Sequence, residues 1–188
     1  MSKRTDRKSI VDAFTWMLSF VLIIWIIEVV NFSLDHRLCV FGILPRSTPH
    51  LAGIFLSPLL HYGFTHVLMN TIPLLILGSL LVMRGKRVFV RTTIAIIIVG
   101  GLGVWFFGRE AYHVGASGLI FGYFGFLVGA AWYERSLFAL LAAIVAIGLY
   151  GSTLLTGLFP LNSYISWEGH LAGLIAGLIA AKIFQKRI

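Results

Sequence analysis

Over residues 117–133 the chain reads SGLIFGYFGFLVGAAWY, a run without Asp, Glu, Lys or Arg that opens on a serine. Similar charge-free runs occupy residues 47–83, 92–108 and 136–167. Only 12% of the 188 residues are charged and 59% are apolar, whereas soluble domains contain roughly 25% charged residues. A membrane-spanning helix needs about 20 predominantly apolar residues. The sequence therefore predicts an integral membrane protein built from helices.

Charged residues divide the chain into six predicted spans, which makes it an all-α, polytopic membrane protein. The first span follows a basic segment, residues 1–12, and no small-residue cleavage site comes after it, so we interpret it as a retained helix. The connection 33–62 contains an apolar stretch too short to cross, which we expect to lie in the outer interface. The predicted spans cover residues 13–32, 63–83, 92–108, 117–133, 136–157 and 168–184.

Basic residues are distributed unevenly between the two sides of this topology. Six spans put both termini on one side, and 12 of the 15 Lys and Arg residues fall on that side. Because basic loops stay in the cytoplasm, we expect residues 1–12 and the tail 185–188 to be cytoplasmic. The net charge of +8 indicates contact with the lipid bilayer rather than with nucleic acid, since no basic soluble domain is apparent.

Polar side chains occur at one depth on three predicted spans. His66 and Asn70 lie on span two, Ser117 on span four and His170 on span six. All three spans run inward, and counting 1.5 Å per residue places these four residues about 21 to 27 Å above the inner face. Polar groups are costly there and mark functional sites. A serine beside a histidine can act as nucleophile and base, and imidazole and amide N–H groups can stabilise an oxyanion.

Each of these residues also has a simpler interpretation. Ser117 could cap its helix, and His66 and Asn70 could form interhelical hydrogen bonds. No metal site is predicted, because His61 and His66 do not share a helix face well and no His-Glu-x-x-His motif occurs. Cys39 is the sole cysteine, which excludes an internal disulfide.

Glycines spaced by four follow Ser117 and His170 on their spans. Such pairs remove side-chain bulk from one helix face and let two backbones approach closely. Small-residue pairs are common in membrane helices, but beside a serine and a histidine they predict a short distance between spans four and six. The pairs are Gly118 with Gly122, Gly125 with Gly129, and Gly173 with Gly177.

Three ordered motifs over about residues 60 to 184 resemble those of the rhomboid intramembrane serine proteases. They are His66-x-x-x-Asn70, Gly115-Ala116-Ser117-Gly118 and His170-x-x-Gly173-x-x-x-Gly177. The resemblance implies a Ser117–His170 dyad without an acidic member, and an oxyanion hole formed by the Ser117 amide with the His66 and Asn70 side chains. It also implies cleavage of transmembrane protein substrates near the outer face, with access beside span five and no cofactor.

The chain departs from the family pattern at three places. Phe121 stands where bacterial members often have a tyrosine that stacks on the histidine. The Trp-Arg pair of many members is missing between Ser33 and Tyr62, and residues 79–83 lack the glutamate often found late in span two. None of these changes removes a catalytic group.

Two other functions stay open from the sequence. A non-catalytic rhomboid-like protein could use the same fold and glycine faces to bind transmembrane helices. A small transporter or channel would better explain Glu28, which is either solvated at the interface or paired inside the bundle. We expect a polar cavity covered by the loop from Asn162 to Trp167, while the oligomeric state is left open.

Overall fold

The computed structural model describes residues 2–159 and 165–184, with side chains described from residue 10 onward. Within these residues all regular secondary structure is helical apart from one isolated antiparallel bridge, between Ile43 and His113, which confirms the all-α class. Six long helices are α1 (Ser2–Ser33), α2 (Phe64–Met83), α3 (Lys86–Phe107), α4 (Ser117–Glu134), α5 (Leu137–Gly157) and α6 (Trp167–Phe184).

Five of these helices are long and apolar enough to cross a membrane, as expected for a multi-pass membrane protein. They are α1 from Ile10 onward, α2, α3, α5 and α6. Helix α4 is not among them, so the count of six spans stays a prediction. Its glycines, tyrosines and terminal Glu134 lower its mean hydropathy, and its large side chains Tyr123, Phe126 and Leu127 are fully buried. A helix at the centre of a bundle contacts protein more than lipid, so it needs less apolar surface.

Two helices extend beyond the predicted spans. Helix α1 starts at Ser2 rather than at residue 13, and α3 starts at Lys86 rather than at residue 92. Hydropathy marks where the lipid begins, whereas Lys and Arg are good helix formers that continue the helix past that point. The connection 33–62 contains short helical turns at Arg37–Phe41, Thr48–His50, Gly53–Leu56 and Ser57–Leu59.

Helices α2, α4 and α6 run in the same direction. At one end of the bundle, Arg84 after α2 forms a buried ion pair with Glu134, the last residue of α4. At the other end, His170 near the start of α6 contacts Ser117 at the start of α4. We call these the Glu134 end and the Ser117 end. The parallel arrangement brings the starts of all three helices together.

Helices α4 and α6 touch through their backbones. A Cβ atom added at Gly173 would overlap the carbonyl of Gly118, and one added at Gly177 would overlap the carbonyl of Gly122. Helix α3 approaches the same face of α6, since a Cβ at Gly100 would lie 3.5 Å from the Gly173 Cα. The glycine spacing thus produces the close approach that it predicts.

Candidate active site

Ser117 and His170 form a hydrogen-bonded pair at the Ser117 end. The Ser117 Oγ lies 2.9 Å from the His170 Nε2, although the residues are 53 positions apart in the chain. His170 is only 8% exposed, so little water competes for its ring. The glycine contacts between α4 and α6 begin at Gly118 and Gly173 and continue toward the Glu134 end. They hold these two side chains at this distance.

The other ring nitrogen of His170 is held by α5. The His170 Nδ1 lies 2.7 Å from the carbonyl oxygen of Gly157. Because a carbonyl only accepts, Nδ1 carries the proton and the Nε2 of the neutral ring accepts the Ser117 hydroxyl proton. Phe121 stacks on the imidazole, with ring centroids 4.1 Å apart and planes 7° from parallel. The histidine is thereby set in the tautomer and orientation that a base for Ser117 requires.

The backbone before Ser117 is fixed by two contacts. The Gly115 N–H donates to the Ser57 carbonyl over 2.9 Å, and Gly115 has a φ of +118°, which favours glycine. The Ala116 N–H donates to the Nε2 of the fully buried His61 over 3.2 Å. Ser117 is the first residue of α4, and N–H groups of a first helical turn have no partner within the helix. Its amide can therefore bind an anion.

The His66 ring lies against Gly115, next to Ser117. A Cβ added at Gly115 would be 2.8 Å from the His66 Nε2 and 3.8 Å from the Ser117 Oγ. The Tyr62 N–H lies 3.5 Å from the His66 Nδ1 and donates to it, which leaves the proton of the neutral ring on Nε2. That N–H therefore lies beside Gly115, near the serine. Asn70 is buried one turn along α2, and its amide donates to the His66 carbonyl over 3.1 Å.

Comparison with known proteins identifies the family of this chain. Residues 48–187 match the Rhomboid domain. The chain belongs to the rhomboid family. An uncharacterised protein of Mycobacterium tuberculosis is 38% identical to it over 98% of this chain and 80% of its own length. An uncharacterised protein of Mycobacterium leprae is 34% identical over 90% of this chain and 70% of its own length.

A relative from Bacillus subtilis, YdcA, is named as a candidate rhomboid protease. It is 33% identical to this rhomboid over 64% of the chain and 61% of its own length. These matches confirm the family suggested by the three motifs. The roles of Ser117, His170, His66 and Asn70 stay predictions, supported by the geometry above.

A small cavity opens beside Ser117 in this rhomboid. It has a volume of about 60 Å³ and extends between the connection 33–62, α3 and the starts of α4 and α6. Among the described residues, its polar lining comes from the side chains of Ser57, His113, Ser117 and Ser166. The loop predicted to cover a cavity, from Asn162 to Trp167, falls partly on residues 160–164, which are outside the described part of the chain.

Three residues of the site were missed by sequence reasoning. Gly157 contributes only a backbone carbonyl, which no side-chain pattern can reveal. The sequence suggests only a metal-ligand role for His61. It precedes α2, so helical spacing does not connect it to His66, yet the two ring centroids lie 4.9 Å apart. The sequence indicates no role for His113, whereas its side chain bonds Ser166.

Glu28 is paired inside the bundle rather than solvated. It is fully buried, and its carboxylate lies 3.1 Å from the His36 Nε2 and 3.5 Å from the Asn31 amide. The same amide donates to the carbonyl of His61, which links α1 to the residue that holds the Ala116 N–H. Among the described residues, no three His, Cys, Asp or Glu side chains are arranged to hold a metal ion.

Proposed function

We propose that this rhomboid is an intramembrane serine protease that cleaves single-pass membrane proteins near the extracytoplasmic face. One observation carries the proposal. The Ser117 hydroxyl lies 2.9 Å from an imidazole nitrogen whose opposite nitrogen is fixed to a carbonyl, which is the arrangement of a nucleophile with its general base.

In the proposed reaction, the Ser117 Oγ attacks the scissile carbonyl carbon while the His170 Nε2 accepts the hydroxyl proton. The tetrahedral intermediate collapses, the C–N bond breaks and His170 returns the proton to the leaving amine. Water then attacks the acyl-enzyme and gives a proton to His170, which passes it to the Ser117 Oγ as the ester bond breaks and the acid product leaves. The Gly157 carbonyl has the orienting role that an acidic side chain has in a triad, because it holds the proton on Nδ1.

The intermediate oxygen would bind beside Gly115. The Ser117 amide and the His66 Nε2–H are donors near that point, and Asn70 keeps one amide hydrogen beyond its bond to the His66 carbonyl. Each donor contributes about 3 to 4 kcal/mol if it behaves as in soluble proteases. These three groups form the proposed oxyanion hole.

The proposed topology has six spans, with α4 as the central one and both termini in the cytoplasm. The Ser117 end then faces the extracytoplasmic side, and the Glu134 end faces the cytoplasm. Lys86 and Arg87 lie at the Glu134 end, which agrees with the enrichment of basic residues in cytoplasmic loops. Transmembrane protein substrates would reach Ser117 from the lipid beside α5.

A cleavage assay tests the proposed function. The purified chain, reconstituted in vesicles, is incubated with a panel of single-span proteins that have small residues near the outer boundary. We expect cleavage by the wild type and by the control Ser19→Ala, whose hydroxyl only bonds back to Thr15 in α1. Ser117→Ala and His170→Ala should abolish it.

A non-catalytic helix-binding protein is the competing function. It would bind panel members without cutting any of them, and Ser117→Ala would leave that binding unchanged. Such a result would overturn the protease proposal. The transporter interpretation loses its main support, because Glu28 is paired with His36 and Asn31.

A further inference from the structure

His113 is a buried histidine outside the long helices, four residues before Ser117. Its backbone forms the bridge to Ile43, with N–H···O distances of 2.9 and 3.0 Å in the two directions. Its Nε2 lies 3.0 Å from the carbonyl oxygen of Arg109. Because that carbonyl can only accept, Nε2 carries the proton and Nδ1 of the neutral ring is an acceptor.

The partner of His113 is Ser166, the residue immediately before α6. The Ser166 hydroxyl lies 2.6 Å from the His113 Nδ1 and donates to it. The Ser166 Oγ also accepts the Gly169 N–H over 3.2 Å, which is the usual bond of a helix N-cap. The Ser166 carbonyl accepts the His170 N–H over 3.1 Å. Ser166 therefore sets the start of the helix that bears His170.

The two histidine–serine pairs have the same separation along the chain. His113 lies four residues before Ser117, and Ser166 lies four residues before His170, so both pairs are separated by 53 positions. One end of the His113–Ser166 bond belongs to the segment that leads into α4, and the other caps α6. A change in its length moves the starts of α4 and α6 relative to each other.

We propose that His113 is a positioning residue that, through Ser166, holds Ser117 and His170 at reacting distance. The catalytic part of this inference rests on the proposed function. On the side toward the Glu134 end, the distance between α4 and α6 is held by glycine contacts that begin at Gly118 and Gly173. The His113–Ser166 bond holds the segment before α4 to the start of α6 on the other side of the pair. The reacting atoms of Ser117 and His170 therefore lie between two contacts that join the helices.

The surroundings of His113 keep its ring neutral. Burial lowers its pKa, while the bond to the Arg109 carbonyl and the nearby Glu168 carboxylate act in the opposite direction and the Arg109 charge acts with burial. His113 is 5% exposed. A neutral ring accepts the Ser166 proton at Nδ1, as the geometry requires.

The test compares three substitutions in the full-length chain. His113→Leu removes the acceptor at similar volume, His113→Asn keeps an acceptor near the Nδ1 position, and Ser166→Ala removes the donor. We expect His113→Leu and Ser166→Ala to lower kcat about 10- to 100-fold with KM nearly unchanged, and His113→Asn to restore most of the rate. The double variant should lose much less than the product of the two single losses, because both changes break the His113–Ser166 bond; Ser166→Ala also removes the N-cap bond to Gly169.

His50→Leu is the matched control. The His50 Nδ1 bonds the Ser47 hydroxyl over 2.7 Å, but that pair lies within the connection 33–62 and does not reach α6. We expect an unchanged kcat for it. Equal losses in His50→Leu and His113→Leu, or no rescue by His113→Asn, would overturn the positioning role.

A second measurement does not depend on turnover. Nitrogen-15 NMR of histidine-labelled protein reports the hydrogen bond between Ser117 and the His170 Nε2. We expect the His170 Nε2 resonance to shift in His113→Leu and to keep the wild-type position in His113→Asn and His50→Leu. If the His170 Nε2 resonance does not move in His113→Leu, the inference is contradicted, even if the wild type cleaves no substrate. If the resonances shift as expected but the wild type is inactive, only the proposed function is overturned.

Discussion

Glycines of α6 and the two glycines midway along α5 have opposite surroundings. At Gly173 and Gly177 of α6, an added Cβ would overlap backbone carbonyls of α4. At Gly148 of α5 it would meet nothing within 4 Å, and at Gly151 only a side chain of α5 itself. An apolar cavity of about 150 Å³ lies between α5 and the pair α4–α6. Helix α6 is therefore packed tightly against α4, whereas α5 borders a cavity over residues 147–155.

This difference assigns two tasks to different helices: holding the Ser117–His170 distance, and giving substrates access to the site. The serine and the histidine are carried by the tightly packed helices α4 and α6, which hold the Ser117–His170 distance. Helix α5 contributes the Gly157 carbonyl that orients His170, and its residues 147–155 border the apolar cavity. The cavity beside this part of α5 supports the proposal that substrates approach there.

Gly173→Ala should have the largest effect, because it breaks the tight interface. The new methyl group would overlap a backbone carbonyl, which cannot rotate aside, so α4 and α6 must separate. A displacement of about 1 Å at the reacting atoms costs roughly 100-fold in rate, and overpacking destabilises by about 1 to 3 kcal/mol. Cleavage rates and thermal unfolding measure both effects. A variant with wild-type rate would show that the backbone contact does not set the distance.

Phe121→Ala should have a smaller effect, because Phe121 orients His170 without carrying a reacting group. Stacked ring pairs are worth about 0.5 to 1.5 kcal/mol beyond burial, so we expect a loss of roughly 2- to 10-fold in kcat. Phe121→Tyr keeps the stacked ring and should retain the wild-type rate. Kinetics of the two variants against one substrate provide the check, and equal rates for alanine and tyrosine would argue against an orienting role.

Because His61 is buried, we expect the free energy of unfolding to depend on pH. Burial lowers its pKa from 6.5 to about 3, so between these values the unfolded chain binds a proton that the folded chain does not. The contribution is fully present above 6.5 and is lost as the pH falls toward about 3. His61→Gln keeps an acceptor for the Ala116 N–H but does not titrate. Thermal unfolding at about pH 7.5 and about pH 5 should show a smaller decrease for this variant than for the wild type; equal decreases would contradict the assignment.

Gly148→Ala should have the smallest effect and serves as the control for Gly173→Ala. The same methyl group enters open space on α5 and reduces the backbone entropy of the unfolded chain, which stabilises by about 0.5 to 1 kcal/mol. We expect a slightly higher unfolding temperature and an unchanged cleavage rate. A large loss of activity would mean that an added methyl group lowers the rate without any backbone overlap, which would remove the support that Gly173→Ala gives.

The sequence predicted the features that depend on side-chain type and spacing. Charge-free runs located the long helices, and glycines spaced by four predicted the contact between α4 and α6 that brings Ser117 to His170. Helix ends were misplaced where basic residues extend a helix beyond the lipid, as at Lys86. The Gly157 carbonyl and the His113–Ser166 bond were not predictable, because they depend on backbone positions that arise only after the helices pack.

The most direct test of the central claim is covalent labelling of Ser117 by a serine-directed phosphonate. The detergent-solubilised chain is treated with the probe, digested and analysed by mass spectrometry to locate the adduct. The account predicts a single adduct on Ser117 in the wild type, strongly slowed labelling in His170→Ala and Gly173→Ala, and wild-type labelling in Gly148→Ala. An unlabelled Ser117 in the wild type, or labelling at an equal rate in His170→Ala, would contradict it.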